Sequence, residues 1–214
     1  MNRPFPIALL ALLWLGAAAR GEDWPQFRGP NRDGVWDEAG VMQTFPAEGL
    51  KVRWRASAGY GLASPVVAQG RVYLFDSELE KTRARERVRC FDENTGRPLW
   101  SHAYEASYPD WAFDPSQGQK TGPNPTPIVQ AGKVFTLGAA GQLQCLDALR
   151  GTVVWDRNLA KDYDLNLVEF PNLTPSPLIE GGRLIVVIRG RASTCVAAFD
   201  TTSGKELWQA LREP

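Results

Sequence analysis

The sequence predicts an all-β protein, a partial β-propeller of four-stranded antiparallel blades, and two observations carry that prediction. The first is an internal repeat: CFDENTGRPLW at residues 90–100 returns as CLDALRGTVVW at 145–155 and as AAFDTTSGKELW at 197–208. The second is that each repeat follows a pair of β-rich segments that turn at a glycine, with no sustained helical period in any window.

The repeat holds its register. Asp92, Asp147 and Asp200 are followed four positions later by Gly96, Gly151 and Gly204, and four later again by Trp100, Trp155 and Trp208. An acid that bonds the local backbone and a glycine that accepts the left-handed conformation define a turn between two antiparallel strands. Before it lies a strand (RVRCF, QLQCL, TCVAAF), and before that a hairpin: SPVVAQGRVYLF, TPIVQAGKVFTL or SPLIEGGRLIVVI, turning at Gly70, Gly132 or Gly182. Four strands per repeat follow. A four-stranded meander recurring about every 50 residues cannot bury both faces alone, and radial stacking of such units gives a propeller. The tryptophan on each last strand then offers about 150 to 250 Å² of surface to the neighbouring blade, with an indole N–H free to find a backbone acceptor.

The pattern small-x-Asp-x-x-Thr-Gly-x-x-x-Trp resembles the repeat of the pyrroloquinoline-quinone (PQQ) type propellers. Residues 90–100 match it closely, the third copy has Ser203 for the threonine, and the second has Arg150 there. EDWPQFRGPNRDG, 22–34, resembles the start of many secreted bacterial proteins of that superfamily. The resemblance spans the mature chain and is specific for fold. The activities it implies diverge, from quinone-dependent dehydrogenases to the propeller scaffold of outer-membrane barrel assembly.

LKVRWRA, 50–56, reads as the tryptophan-bearing last strand of a blade without its other three strands, which leaves Trp54 an orphan. One closing strand and three blades fall below the four to eight blades of closed rings, so the sequence is expected to be a fragment whose missing blades lie downstream. The expected organisation is a signal peptide over 1–21, an N-terminal arm over 22–49 and an incomplete propeller over 50–214, with the orphan strand at 50–56 and blades near 60–104, 124–160 and 174–211. The signal reading rests on Arg3, the apolar run after it and Ala17–Ala19, a run too short for the ~20 residues that span a bilayer. After cleavage a periplasmic or secreted location without membrane insertion is expected. Lysine plus arginine equals aspartate plus glutamate at 24 each, which disfavours nucleic acid as a partner. Of three cysteines, Cys90 and Cys145 hold equivalent places in successive repeats, too far apart for a disulfide in a radial array, and buried free thiols are the preferred reading.

Glycine turns tighten one face of such an array, and the long links emerge on the other: DSELEKTRARER (76–87), the stretch 104–124 and the stretch 160–175. Function is expected on that face. Its richest stretch is Tyr108–Asp114, where Asp110 and Asp114 flank Trp111 and Phe113. That composition suits a flat ligand or sugar, and equally a rigid cap on the blade. Asp162 and Asp164 could join Asp110 and Asp114 around Ca²⁺, although no EF-hand spacing is present. The charged run Lys81–Arg89 reads as a solvated hairpin tip. His102, the only histidine, sits two residues from Trp100 and reads as packing. GYGLAS at 59–64 lacks the third glycine and the helix of a nucleotide loop, and Asn172-Leu173-Thr174 is a glycosylation sequon of use only in a eukaryotic secretory pathway. No catalytic, cofactor or metal residue is assigned and no cofactor is expected. The expectation is a non-catalytic module that binds a protein or polysaccharide. The alternative is part of a quinoprotein dehydrogenase with PQQ and Ca²⁺, against which stands the absence of the vicinal Cys-Cys pair that the resemblance implies for such enzymes.

Overall fold

The computed structural model describes residues 21–114, 121–165, 174–188 and 194–212. Nearly all of the expected signal segment and the sequon's first two residues lie outside them, as does the side chain of Cys195. Among the described residues the strands form three four-stranded antiparallel meanders. Blade 1 is β1 (Val66–Ala68), β2 (Arg71–Glu80), β3 (Arg83–Asp92) and β4 (Pro98–Ala106). Blade 2 is β5 (Ile128–Gln130), β6 (Lys133–Leu137), β7 (Gln142–Asp147) and β8 (Val153–Asn158). Blade 3 is β9 (Leu178–Glu180), β10 (Arg183–Val187), β11 (Thr194–Asp200) and β12 (Glu206–Arg212).

The first hairpin of each blade closes with two residues of positive φ: Gln69 and Gly70 at 53° and 76°, Ala131 and Gly132 at 49° and 72°, Gly181 and Gly182 at 53° and 76°. Such turns match the twist of the strands they join. In the third link Asp92 Oδ1 accepts from the Asn94 and Thr95 amides at 3.2 and 2.9 Å and from Thr95 Oγ1 at 2.7 Å. Asp147 and Asp200 repeat the arrangement, with Arg150 and Ser203 at the threonine's place donating their amides at 2.8 and 2.7 Å. Gly96, Gly151 and Gly204 complete the turns at φ 69°, 71° and 68°.

The core lies between blades. Val66, Tyr73, Phe75, Val88 and Cys90 of blade 1 meet Val134, Leu146 and Ala148 of blade 2, and Phe135, Leu143 and Cys145 of blade 2 meet Leu184, Ala197 and Phe199 of blade 3. Cys90 and Cys145 are buried and free, and burial pushes the Cys145 thiol up to about 11. Two further series of contacts tie the blades together. Trp100 Nε1 donates to the Ala148 carbonyl at 3.1 Å and Trp155 Nε1 to the Thr201 carbonyl at 3.1 Å, each the residue after the next blade's turn aspartate. The residues that open the blades also link up: the Ser64 amide donates to Thr126 Oγ1 at 3.2 Å and the Thr126 amide to Ser176 Oγ at 3.0 Å.

Three expectations are corrected. Residues 50–58 form no strand, because they have no sheet of their own to pair with. Trp54 is nevertheless docked: its Nε1 donates to the Glu93 carbonyl at 2.7 Å, and it stacks with Phe91 at 6.2 Å between ring centroids. It therefore does for blade 1 what Trp100 does for blade 2. The stretch 76–87 is not a loop, since β2 and β3 run on as ten-residue strands that turn at Lys81. Nor is Lys81–Arg89 a solvated tip: Ala84, Glu86 and Val88 alternate inward along β3, at 2%, 0% and 0% exposure.

Candidate functional site

The loop face is built on the long hairpin of blade 1. Ala84, Glu86 and Val88 share the inward face of β3, which carries a carboxylate into a region where burial of an unpaired acid is costly. Glu86 is fully partnered there. Tyr104, opposite it on β4, donates its hydroxyl to Oε2, while the Tyr108 hydroxyl and the Ala139 amide donate to Oε1 at 2.8 Å each. Gly138 leaves the space: a β-carbon there would strike the Glu86 carboxyl and the Tyr104 hydroxyl. Burial raises the Glu86 carboxyl above its ordinary value against the pull of these three hydrogen bonds, and burial beside Glu86 raises both tyrosines. One side chain thus joins blade 1, the β6–β7 link of blade 2 and the loop that leaves β4.

A second buried acid lies nearby on β2. Asp76 accepts from Arg87 Nε at 2.6 Å, Arg89 Nη2 at 2.5 Å and the Gly59 amide at 2.6 Å. Burial pushes the Asp76 carboxyl up, but the bonds from Arg87 and Gly59 and the charge of Arg89 outweigh it and hold the carboxyl below its ordinary value. Arg87 also pairs with Glu78, and Arg89 Nη2 reaches the Ser57 carbonyl at 2.9 Å. The cluster anchors the otherwise unpaired chain between Trp54 and Tyr60.

The stretch Tyr108–Asp114 forms a short 3₁₀ turn over Asp110–Phe113. Trp111 and Phe113 lie partly buried against the cluster of Ala84, Tyr108, Ala112 and Ala139, while Asp110 and Asp114 are exposed on either side. Asp162 lies apart from them, paired with Arg157 at 3.0 and 2.8 Å, and Asp164 takes a positive φ of 47°. Among the described residues no three histidines, cysteines, aspartates or glutamates converge into a set that could hold a metal ion. His102 Nε2 meets Gln144 Oε1 at 3.1 Å across the blade 1–blade 2 boundary. Sequence reasoning missed Glu86 and Asp76. The signal that would have found Glu86 is the spacing of Arg83, Arg85, Arg87 and Arg89, which puts Ala84, Glu86 and Val88 together on the opposite face of a strand; nothing comparable marks Asp76.

The family model described as outer membrane protein assembly factor BamB, a PQQ-repeat model, matches residues 37–211. The quinohemoprotein alcohol dehydrogenase of Comamonas testosteroni is 23% identical over 210 residues, 92% of this chain and 27% of its own. The crystal structure of that enzyme superposes with a TM-score of 0.63 over 91% of this chain and 28% of its own. A europium-containing methanol dehydrogenase follows at 0.51 and 19% identity, over 75% of this chain and 27% of its own. The chain therefore spans about a quarter of the length of the curated relative it matches, and these likenesses establish the fold. Among the described residues no helix is long and apolar enough to cross a membrane. With three repeats in register, blades stacked through their tryptophans and a family match over most of its length, the chain belongs to the BamB-like family of PQQ-repeat β-propellers.

Proposed function

We propose that the chain is a non-catalytic, extracytoplasmic scaffold, exported through residues 1–21, that presents its loop face to a protein partner. The observation that carries this reading is the commitment of both buried acids of that face to internal partners: Glu86 to two hydroxyls and an amide, Asp76 to two guanidinium groups and an amide. They hold the face in shape and leave Asp110 and Asp114 at its surface. The family's description as an assembly factor points the same way. A photo-crosslinker at position 110 or 114 should capture an envelope protein, and the same group at Gly132 on the glycine-turn face should not. Equal capture from both faces, or glycan-array binding in place of protein capture, overturns the reading.

A second reading, a segment of a quinoprotein dehydrogenase, is favoured by the alignment with the Comamonas enzyme over 92% of the chain. Against it, among the described residues Cys90 and Cys145 are buried in different blades and no three histidines, cysteines, aspartates or glutamates converge. Dye-linked alcohol oxidation by the purified protein, supplied with quinone and Ca²⁺, separates the two readings: none is expected, and turnover would establish the second.

A further inference from the structure

The first strand of every blade has one edge that its own sheet leaves free, and the N-terminal arm crosses all three. On blade 1 Trp24 and Val67 exchange both main-chain hydrogen bonds, at 2.8 and 3.0 Å. On blade 2 the Val129 amide donates to the Pro25 carbonyl at 2.8 Å. On blade 3 the arm's main chain has moved away and a side chain alone reaches over: Arg32 Nη1 donates to the Ile179 carbonyl and Nη2 to Glu180, each at 3.3 Å. Val67, Val129 and Ile179 are the middle residues of their three-residue strands. A strand residue directs its N–H and C=O to the same edge, as the exchange at Val67 shows. The Ile179 N–H therefore leaves blade 3 beside its carbonyl, and among the described residues it has no acceptor. It borders a cleft of about 370 Å³ lined by Pro25, Pro30, Arg32, Ile128 and Val129.

We propose that this cleft is a strand-addition site for an extended peptide segment of a partner protein, seated on β9 as the arm is seated on β1. The arm is the precedent, since its main chain already bonds the two equivalent edges, through Trp24 on blade 1 and Pro25 on blade 2. An open strand edge recognises main chain through its N–H and C=O groups and draws specificity from flanking side chains. Arg32 and Glu180 offset each other, so the site favours an uncharged segment. Arg32 also covers the Ile179 carbonyl and must yield for the full pair of hydrogen bonds to form. This surface is separate from the loop face, and neither reading depends on the other.

The probe is a fluorescent peptide of sequence WPQF, residues 24–27 of this chain, capped at both ends and so uncharged, titrated onto the full chain immobilised at low density. Saturable binding is expected. Ile179→Pro removes the donor without touching the β9–β10 ladder and should weaken binding by about tenfold or more, whereas Arg32→Ala uncovers the carbonyl and should tighten it by about threefold. Asp110→Ala on the loop face should leave it unchanged. Failure of the peptide to bind overturns the proposal, as does a folded Ile179→Pro variant that binds like the wild type. Should that variant lose its fold, unchanged affinity in Arg32→Ala overturns the proposal by itself.

Discussion

Trp100 lies against Gly151 so closely that a β-carbon on the glycine would come within 2.5 Å of the indole Cε3, and the indole N–H donates to the carbonyl of Ala148 three residues before it. Trp54 over Gly96 and Trp155 over Gly204 are the same pair again, with the Glu93 and Thr201 carbonyls as acceptors. The turn glycine thus answers to two demands, a left-handed backbone and a bare surface for the preceding blade's tryptophan. The acid-to-glycine-to-tryptophan spacing within one repeat records a contact between two.

Gly151→Ala and Gly132→Ala separate those demands. Both glycines have positive φ, 71° and 72°, but a β-carbon at Gly132 meets nothing within 4 Å. Gly132→Ala should cost about 1 kcal/mol, the strain of a β-carbon in the left-handed region. Gly151→Ala should cost about 1 to 3 kcal/mol more, because the indole must move. Urea denaturation of the two variants measures the difference, and equal losses would show that the tryptophan contact contributes nothing.

The three blades were legible because their signals are local: a two-residue turn at Gly70, an acid-to-glycine turn at Asp92, alternating apolar residues between. What escaped is what depends on distant partners. The charges of 76–89 look like a solvated loop until Tyr104, Tyr108 and Ala139, from 18 to 53 residues away, are seen to enclose Glu86. Trp54 has the right residue at the right spacing, but a strand needs a neighbour in its sheet and 50–58 has none. The arm carries no strand pattern, since proline and glycine interrupt it, yet Trp24 and Pro25 hydrogen-bond to blades 1 and 2.

Glu86 and Asp76, on paired strands, should give stability opposite dependences on pH. The Glu86 carboxyl is raised in the folded state by burial, so the fold binds its proton more tightly than the unfolded chain does. Its contribution is full below the ordinary value of 4.5 and is lost as pH rises through the elevated folded value. Asp76 is lowered, so its contribution is present above the ordinary 3.8 and is lost as pH falls through the depressed folded value. Urea midpoints across pH should fall on both sides of a mildly acidic optimum. Glu86→Gln should flatten the alkaline limb and Asp76→Asn the acid one, and a Glu86→Gln profile that parallels the wild type would refute the assignment.

Removing the Glu86 carboxyl altogether is a different test. Glu86→Ala takes the acceptor from the Tyr104 hydroxyl and the Ala139 amide and one of its partners from Tyr108, and a buried donor left unpaired costs about 1 to 3 kcal/mol, so a total loss of about 2 kcal/mol or more is expected. Because Glu86 ties blade 1 to blade 2 and to the loop after β4, hydrogen exchange should rise at Tyr108–Asp114 before it rises in blade 3. Uniform acceleration across the chain would mean that the carboxyl holds no particular segment.

Trp208 occupies in β12 the place that Trp100 holds in β4 and Trp155 in β8, opposite Ala198 as they are opposite Cys90 and Cys145. Its surroundings differ. Trp155 is 9% exposed against blade 3, whereas Trp208 is 38% exposed and its indole N–H has no acceptor among the described residues. An apolar surface with an unused donor, shaped by the repeat to receive a glycine turn, favours association. The chain of residues 22–214 should therefore self-associate with rising concentration, and Trp208→Ser should weaken that association while lowering the urea midpoint less than Trp155→Ser does, since Trp208 is 38% exposed and Trp155 9%. Trp155→Ser should do the reverse, lowering the midpoint because it opens the boundary between blades 2 and 3. Light scattering and sedimentation on the three proteins decide the matter: a wild-type chain that stays monomeric, or a Trp208→Ser variant that associates as strongly as the wild type, would show that this face is not what draws the copies together.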